Sequence, residues 1–356
     1  MVLRCDLLVI GLGPGGGAAA AQAARHGLSV VAVEKKKQVG MPVQCAEFIP
    51  LPLGRHAQGP GVLQQRIEGM RSILPSGAVT RTEFPGLMID RAAFDQALAR
   101  NAESAGAKLL LGAHLRRLDA AGRRALVETS GGMLEVGYRL LVAADGPRSF
   151  VAESLGLPRL PVVHTRQYTV PLHEPYADTD VWLSAAYPGG YAWLFPKGRM
   201  ANLGLGMDMR FASDLRTPLD RLHRRLAGTG LIGETICCRT GGAIPVGGLR
   251  ERLVVGAVLF VGDAAGLTHP VTGAGIAAAV VSGERAGEAA AAHLQGGRDN
   301  ALADFEDDIR DQYEASLARA VGRRRWLEQQ WTTPAAMRDA THRRGWIAFS
   351  EYFSMQ

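Results

Sequence analysis

Gly11-Leu12-Gly13-Pro14-Gly15-Gly16 follows the apolar run Leu7-Leu8-Val9-Ile10 and leads into Ala18 to Ala24, a stretch of strong helix formers. This order of strand, glycine turn and helix decides the fold. An apolar run of this length reads as a buried parallel strand. Gly11 permits a tight turn, Gly13 lets the backbone approach a pyrophosphate, and Gly16 lets helix and strand pack closely. Gly15 lies where a helix N-terminus offers free N–H groups to phosphates. His26-Gly27 ends the helix. Leu28 to Val33 reads as a second strand, and Glu34 at its end stands about twenty residues from the turn, the offset of a carboxylate that takes a ribose 2′-hydroxyl. Lys35-Lys36-Lys37 reads as a solvated basic loop, since an acid at position 34 argues against a phosphate there.

Working outward, Met88-Ile89-Asp90-Arg91 leads into a predicted helix from Ala92 to Ala105, and Lys108 to Leu111 reads as a third parallel strand. Leu115 to Glu135 reads as a hairpin excursion. Leu140 to Ala144 is a strand delivering Asp145-Gly146-Pro147-Arg148-Ser149 at its C-terminal end, the edge where open α/β sheets hold cofactors. Far along the chain, Leu253 to Val261 runs into Gly262-Asp263-Ala264-Ala265-Gly266, then Pro270 and Gly273-Ala274-Gly275-Ile276. A nicotinamide dehydrogenase carries only the first motif. The pair points to FAD. Between them, Tyr168–Leu172, Val181–Ala186, Tyr191–Phe195, Ala201–Met207 and Thr235–Ile244 read as strands of an antiparallel sheet, with a helix over Thr217–Ala227. The expected fold is therefore α/β: a Rossmann-type FAD-binding domain (1–155 plus 250–290), an inserted antiparallel-sheet substrate domain (156–249) and a helical C-terminal segment (291–356).

At 356 residues and 47% hydrophobic content the chain can bury a large core. No apolar run approaches the ~20 residues of a membrane helix, and Arg4 and Asp6 interrupt any leader-like stretch. A cytoplasmic location is expected. The net charge of +6 is a mild attraction for anionic partners, and no nucleic-acid partner is expected. Cys5, Cys45, Cys237 and Cys238 have neither zinc-site nor disulfide-scaffold spacing, so no metal is expected.

These motifs, with Asp90-Arg91-x-x-Phe94-Asp95 and Ala144-Asp145-Gly146, resemble FAD enzymes built like p-hydroxybenzoate hydroxylase. Within that superfamily, residues 5–290 resemble the geranylgeranyl reductase family. Pro42-Val43-Gln44-Cys45-Ala46 is similar to its cysteine loop beside the flavin. Pro188-Gly189-Gly190-Tyr191-Ala192-Trp193-Leu194-Phe195-Pro196 is similar to its PxxYxWxFP motif, and Gly241-Gly242-Ala243-Ile244-Pro245 also corresponds. The resemblance implies FAD contacts at Gly15, Glu34, Cys45, Ala46, Arg91, Leu115, Asp263, Gly275 and Ile276. Asp263 is placed to accept from a ribityl hydroxyl, and Gly275-Ile276 at a helix start to face the flavin. Arg91 has two readings: a cofactor contact, or an ion pair with Asp90 or Asp95. The family's glycine two or three residues after the cysteine is missing. Glu47-Phe48 stand there instead and are expected to reshape the substrate cavity.

The implied reaction transfers hydride from reduced FAD to a C=C bond of an isoprenoid or related apolar substrate. Tyr191, Trp193 and Phe195 alternate along a strand and face one side, as a lipid wall or as ordinary core. Cys45 reads as a proton donor, a flavin neighbour or a small buried hydrophobe. His269 reads as a tuner of the cofactor or as a structural histidine. Cys45, Tyr191, Trp193 and His269 are the catalytic candidates. Arg323-Arg324-Arg325-Trp326, Trp331, His342-Arg343-Arg344, Trp346, Phe349, Tyr352 and Phe353 mix basic and aromatic residues. They read as a peripheral membrane contact, a lid, or a helix packed on the substrate domain with solvated arginines. Two other activities share the FAD motifs: a monooxygenase, halogenase or oxidase of a small molecule, and a flavin-binding partner without turnover. No second glycine fingerprint marks an NAD(P)H site, so NAD(P)H or a ferredoxin-like protein stands open as electron donor, as does the oligomeric state.

Overall fold

The computed structural model describes residues 2–354 and contains two eight-stranded sheets among them. The first has the strand order Val254–Val255, Val258–Phe260, Gly132–Ala143, Val2–Ile10, Val30–Glu34, Lys108–Leu111, and the hairpin His114–Asp119/Arg124–Thr129 extends Gly132–Ala143. Its central neighbours run parallel, with Leu8 opposite both Val31 and Leu141, and Leu259 opposite Val142. These strands are apolar along their length because helices cover the sheet. The helix Pro14–Arg25 packs against Arg91–Ser104 and Ile276–Gln295. The core is built from Leu7, Leu8, Val9, Val31, Leu141, Val142, Leu259 and Phe260, with the alanines of the two outer helices against them.

The second sheet runs Cys238–Pro245, Val162–Pro171, Met200–Met207, Ala192–Lys197, Asp178–Trp182, Leu63–Ile73, Val79–Ile89, Phe48–Pro50. The last three strands lie within residues 1–155, the range expected to form the FAD-binding domain, yet they join the sheet of the inserted segment. Leu63–Ile73 pairs in parallel with Asp178–Trp182, Arg71 opposite Asp180. The helix Arg216–Gly228 covers one face of this sheet, where Tyr168, Leu194, Leu203 and Leu205 are buried. The opposite face carries Trp193 and Phe195, as the two-residue period requires.

The C-terminal segment continues through Ala301–Gln330 and Asp339–Gly345, with single 3-10 turns at Pro334–Met337 and Ser350–Tyr352. It is helical with irregular joints, and the expected helix over residues 355–356 lies outside the described residues. Among the described residues no helix is long and apolar enough to cross a membrane, and no cluster of side chains could hold a metal.

Candidate functional site

The glycine turn is fixed by contacts that allow no side chain. Gly11 has φ +96°, and a Cβ on it would lie 2.3 Å from the Ala144 carbonyl oxygen. A Cβ on Gly16 would lie 1.8 Å from the Gly11 carbonyl oxygen. Gly15 faces Ala279 of the helix Ile276–Gln295. Gly13 differs: it caps the helix Pro14–Arg25 with no side-chain bond, and a Cβ there would meet nothing within 4 Å. The open side of the turn is thus a backbone cradle at a helix N-terminus, a fit for a pyrophosphate. Glu34 is buried at the end of its strand. Its Oε2 accepts from Leu12 N at 2.8 Å and its Oε1 from Lys36 N at 3.0 Å, so the carboxylate is locked beside the cradle. Leu115 lies close by along the chain, on the strand after Ala113, whose N–H donates to the Glu34 carbonyl.

Asp263 sits in the single turn Gly262–Ala265 after the strand Val258–Phe260 and accepts from Thr268 Oγ1 at 2.6 Å. Burial pushes its carboxyl above the usual range, against the pull of that bond and of Arg91. A Cβ on Gly275 would lie 2.7 Å from Thr268 Oγ1, so Asp263, Thr268 and the start of Ile276–Gln295 are one unit. Ile276 packs with Ala18, Ile49 and Phe94. Arg91 forms a two-point ion pair with Asp95 (3.1 and 2.9 Å) rather than with Asp90, which caps the helix through Ala93 N. Arg91 is also close enough to act electrostatically on Cys45 and Asp263. These residues fit FAD: an open phosphate cradle, a fixed carboxylate at the end of the second strand, and a buried carboxylate beside a helix start.

The cysteine loop is held by the second sheet. Gln167 donates to the Cys45 carbonyl at 3.0 Å and accepts from Trp193 Nε1 at 3.2 Å. Thr240 donates to Val43 O at 2.6 Å, Gln44 to Gly241 O at 2.7 Å, and Asn202 to Ala46 O at 3.3 Å. Burial pushes the Cys45 thiol up from its ordinary value, with Arg91 and the Glu47 N–H opposing, so it keeps its proton at neutral pH. Glu47 corrects an expectation. Expected to reshape the substrate cavity, it is 3% exposed and bonded internally. Lys197 Nζ reaches both of its carboxylate oxygens at 2.9 Å, Asn202 Nδ2 donates at 2.7 Å and Arg91 N at 2.8 Å. Its φ is +73°, so the backbone keeps the left-handed turn that suits glycine while the side chain supplies an internal strut.

Phe48 begins the strand Phe48–Pro50 and lies in a file of rings: Trp346, Tyr191, Trp193, Phe195, Phe48 and Phe84, with successive centroids 4.9, 5.7, 6.5, 6.2 and 5.5 Å apart. Phe195, Phe48 and Phe84 are half-buried. Tyr191 donates its hydroxyl to the Thr272 carbonyl, tying this file to the loop 266–275 that leads into the helix Ile276–Gln295. In the same loop His269 Nδ1 accepts from Thr272 N at 3.2 Å, which puts the ring proton on Nε2, 3.3 Å from the Tyr352 hydroxyl. Burial depresses His269 to about 4, so it is neutral at physiological pH.

The C-terminal segment therefore closes over the aromatic file. Trp346 and Phe349 pack with Met70, Leu74, Val181 and Leu183. Arg324, solvated in one of the three readings of this segment, is 6% exposed: it donates to Gly189 O and pairs with Asp208 Oδ2, both at 2.9 Å. Arg323 holds the Tyr352 carbonyl, and only Arg325 of the three is exposed. Gln167, Asn202, Lys197 and Arg324 are the residues that sequence reasoning missed. The one signal for Gln167 and Asn202 is a polar residue at an inward position of an apolar strand.

A parallel sheet with this glycine turn, in a chain that also builds a second, mostly antiparallel sheet, is the architecture of an FAD-dependent oxidoreductase. The comparisons agree. The family model described as FAD dependent oxidoreductase matches residues 6–137, that of the geranylgeranyl reductase catalytic domain matches 164–241, and that of lycopene cyclase protein matches 211–340. Digeranylgeranylglycerophospholipid reductase 1 of Methanopyrus kandleri is 35% identical over 339 residues, covering 88% of this chain and 89% of its own. The crystal structure of a geranylgeranyl bacteriochlorophyll reductase-like protein from Thermoplasma acidophilum superposes with a TM-score of 0.83 at 26% identity, covering 92% and 91%. A flavin-dependent halogenase superposes with a TM-score of 0.74 at 16% identity, covering 94% of this chain and 66% of its own, a likeness of fold alone. The chain belongs to the geranylgeranyl reductase family of FAD-dependent oxidoreductases. It is a reductase, and FAD is its cofactor.

Proposed function

We propose that this reductase saturates C=C bonds in the isoprenoid chains of a glycerophospholipid. The observation that carries the reading is the file of six aromatic rings, which is apolar, runs to the flavin loop at Tyr191–Thr272 and is half-buried at its Phe84 end. An unsaturated chain gains burial along such a wall at roughly 25 cal/mol per Å². The relatives named for digeranylgeranylglycerophospholipid support the same substrate class.

Gly11–Gly16, Glu34, Ala46, Arg91, Leu115, Asp263 and Gly275–Ile276 would hold FAD, which when bound and reduced would supply a hydride for one carbon of the double bond. The protein's own groups do the rest. Trp193 and Phe195 orient the chain, and the C-terminal aromatics exclude water. The Cys45 thiol carries a proton at neutral pH and is the donor candidate for the second carbon. The Tyr191 proton is committed to the Thr272 carbonyl, and burial raises its pKa further, so Tyr191 positions rather than protonates. His269 keeps its proton on Nε2 toward Tyr352 and holds the loop neutral. NAD(P)H or a ferredoxin-like protein is the proposed electron donor, and the setting is cytoplasmic, at the membrane periphery where the lipid lies.

The test is product analysis. The FAD-loaded protein is incubated with dithionite and a geranylgeranyl-bearing glycerophospholipid. Mass spectrometry is expected to show hydrogen added pairwise. Substrate-stimulated oxygen uptake in air, with oxygen in the product, would instead place the protein with the monooxygenases.

A further inference from the structure

Away from the aromatic file, a cavity of about 450 Å³ is lined by Arg148, Ser149, Glu153, Pro158, Arg159 and Arg250, among others. That volume lies within the roughly 300–1,000 Å³ of small-molecule sites. Three guanidinium groups line it against one carboxylate. Glu153 pairs with Arg159 at 3.0 Å, but that pair is exposed and exchangeable. Among the described residues Arg148 bonds only the His164 ring, at 2.9 Å. Because an arginine only donates, His164 Nε2 accepts and its Nδ1 carries the proton, a buried donor with no acceptor among the described residues.

Arg250 is the decisive residue. It is 7% exposed, and no carboxylate among the described residues lies within ion-pair distance of it. Its Nε donates to Ala264 O at 2.5 Å and its Nη1 to Pro158 O at 2.8 Å, and its guanidinium carbon lies over the Phe260 ring, 5.4 Å from the centroid. Asp145 acts on it only from a greater distance. Two carbonyls thus fix the guanidinium, and among the described residues its charge is balanced only by Asp145, beyond ion-pair distance. A buried guanidinium without a counter-ion is costly unless an anion completes it. Its fork geometry suits phosphate, which it binds at two points.

We propose that this cavity is a binding site for a phosphate-bearing ligand, held by Arg250 at its floor and by Arg148 and Arg159 at its rim. The Ala264 carbonyl that anchors Arg250 follows Asp263 directly, so the site backs onto the flavin turn. The proposal concerns binding and does not depend on the reaction assigned above.

The experiment is calorimetric titration of the FAD-saturated protein with inorganic pyrophosphate at low salt, beside R250M and the surface double variant R148Q/R159Q. The wild type is expected to bind one equivalent, with affinity falling as salt rises. Each variant is expected to lose about tenfold or more in affinity. The double variant changes only exposed side chains, so it stays informative if R250M misfolds. Competition identifies the source of the phosphate. Displacement of pyrophosphate by NADPH assigns the site to a dinucleotide, displacement by phosphatidylglycerol vesicles assigns it to a lipid headgroup, and displacement by neither leaves the free ion as ligand. No heat with the wild type, or equal affinity in R148Q/R159Q, would overturn the proposal.

Discussion

Replacing Glu47 separates what its side chain does from what its backbone requires. The carboxylate is 3% exposed and engaged by Lys197, Asn202 and the Arg91 N–H. Removing one member of a buried ion pair costs about 3–5 kcal/mol. Lys197 retains Asp90 at 3.3 Å and some exposure, so the lower end, about 3 kcal/mol, applies to E47A. At φ +73° a non-glycine residue is strained, and glycine recovers about 1 kcal/mol of that. E47G should therefore be destabilised by only about 2 kcal/mol, the difference of the two terms. The expected order is wild type, then E47G, then E47A. Urea unfolding of the FAD-saturated proteins, followed by tryptophan fluorescence, gives the order directly. Flavin affinity should fall with it, because the same contacts hold the Cys45 loop to the second sheet. E47A as stable as wild type would refute the strut, and E47A at least as stable as E47G would refute the strained turn.

Other perturbations have defined outcomes. G16A places a methyl 1.8 Å from the Gly11 carbonyl and should abolish FAD retention, scored by the 450 nm-region absorbance of the purified protein. His269 is depressed to about 4 by burial, so unfolding takes up a proton between that value and about 6.5. Stability should fall by up to about 3 kcal/mol as pH drops through this window, and H269Q should flatten the thermal midpoint there. Asp180 has the opposite sign. Burial raises it to about 6, so the folded form favours the proton and stability is lost as pH rises from about 4 to 6. D180N, which keeps an acceptor for the Tyr176 hydroxyl, should raise the midpoint at pH 7.5 and not at pH 4.

The first sheet was legible because its determinants are local. The turn at Gly11–Gly16, the strand before it and Glu34 after it lie within one short stretch, and each obeys a short-range geometric rule. The alternation of Tyr191, Trp193 and Phe195 was legible for the same reason. Leu63–Ile73 was not: its sequence, Leu-Gln-Gln-Arg-Ile-Glu-Gly-Met-Arg-Ser-Ile, is polar and lacks clear alternation, and its parallel partner Asp178–Trp182 lies more than a hundred residues on. The roles of Gln167, Asn202 and Lys197 depend on which loop folds against them, which no local period encodes. Arg324 illustrates the same limit. Within Arg323-Arg324-Arg325 the three look alike, and only the packing of Ala301–Gln330 against Asp208 and Gly189 distinguishes the middle one.

The central claim is hydride transfer to an isoprenoid double bond along the aromatic file. An anaerobic single turnover tests it most directly: the protein with fully reduced FAD is mixed with a geranylgeranyl-bearing glycerophospholipid, and flavin reoxidation is followed alongside product mass. Reoxidation at the rate at which a saturated bond appears, slowed at least tenfold in W193A by loss of about 1.4 kcal/mol or more of aromatic contact, is the predicted result. Flavin that stays reduced while the lipid is bound would contradict the account.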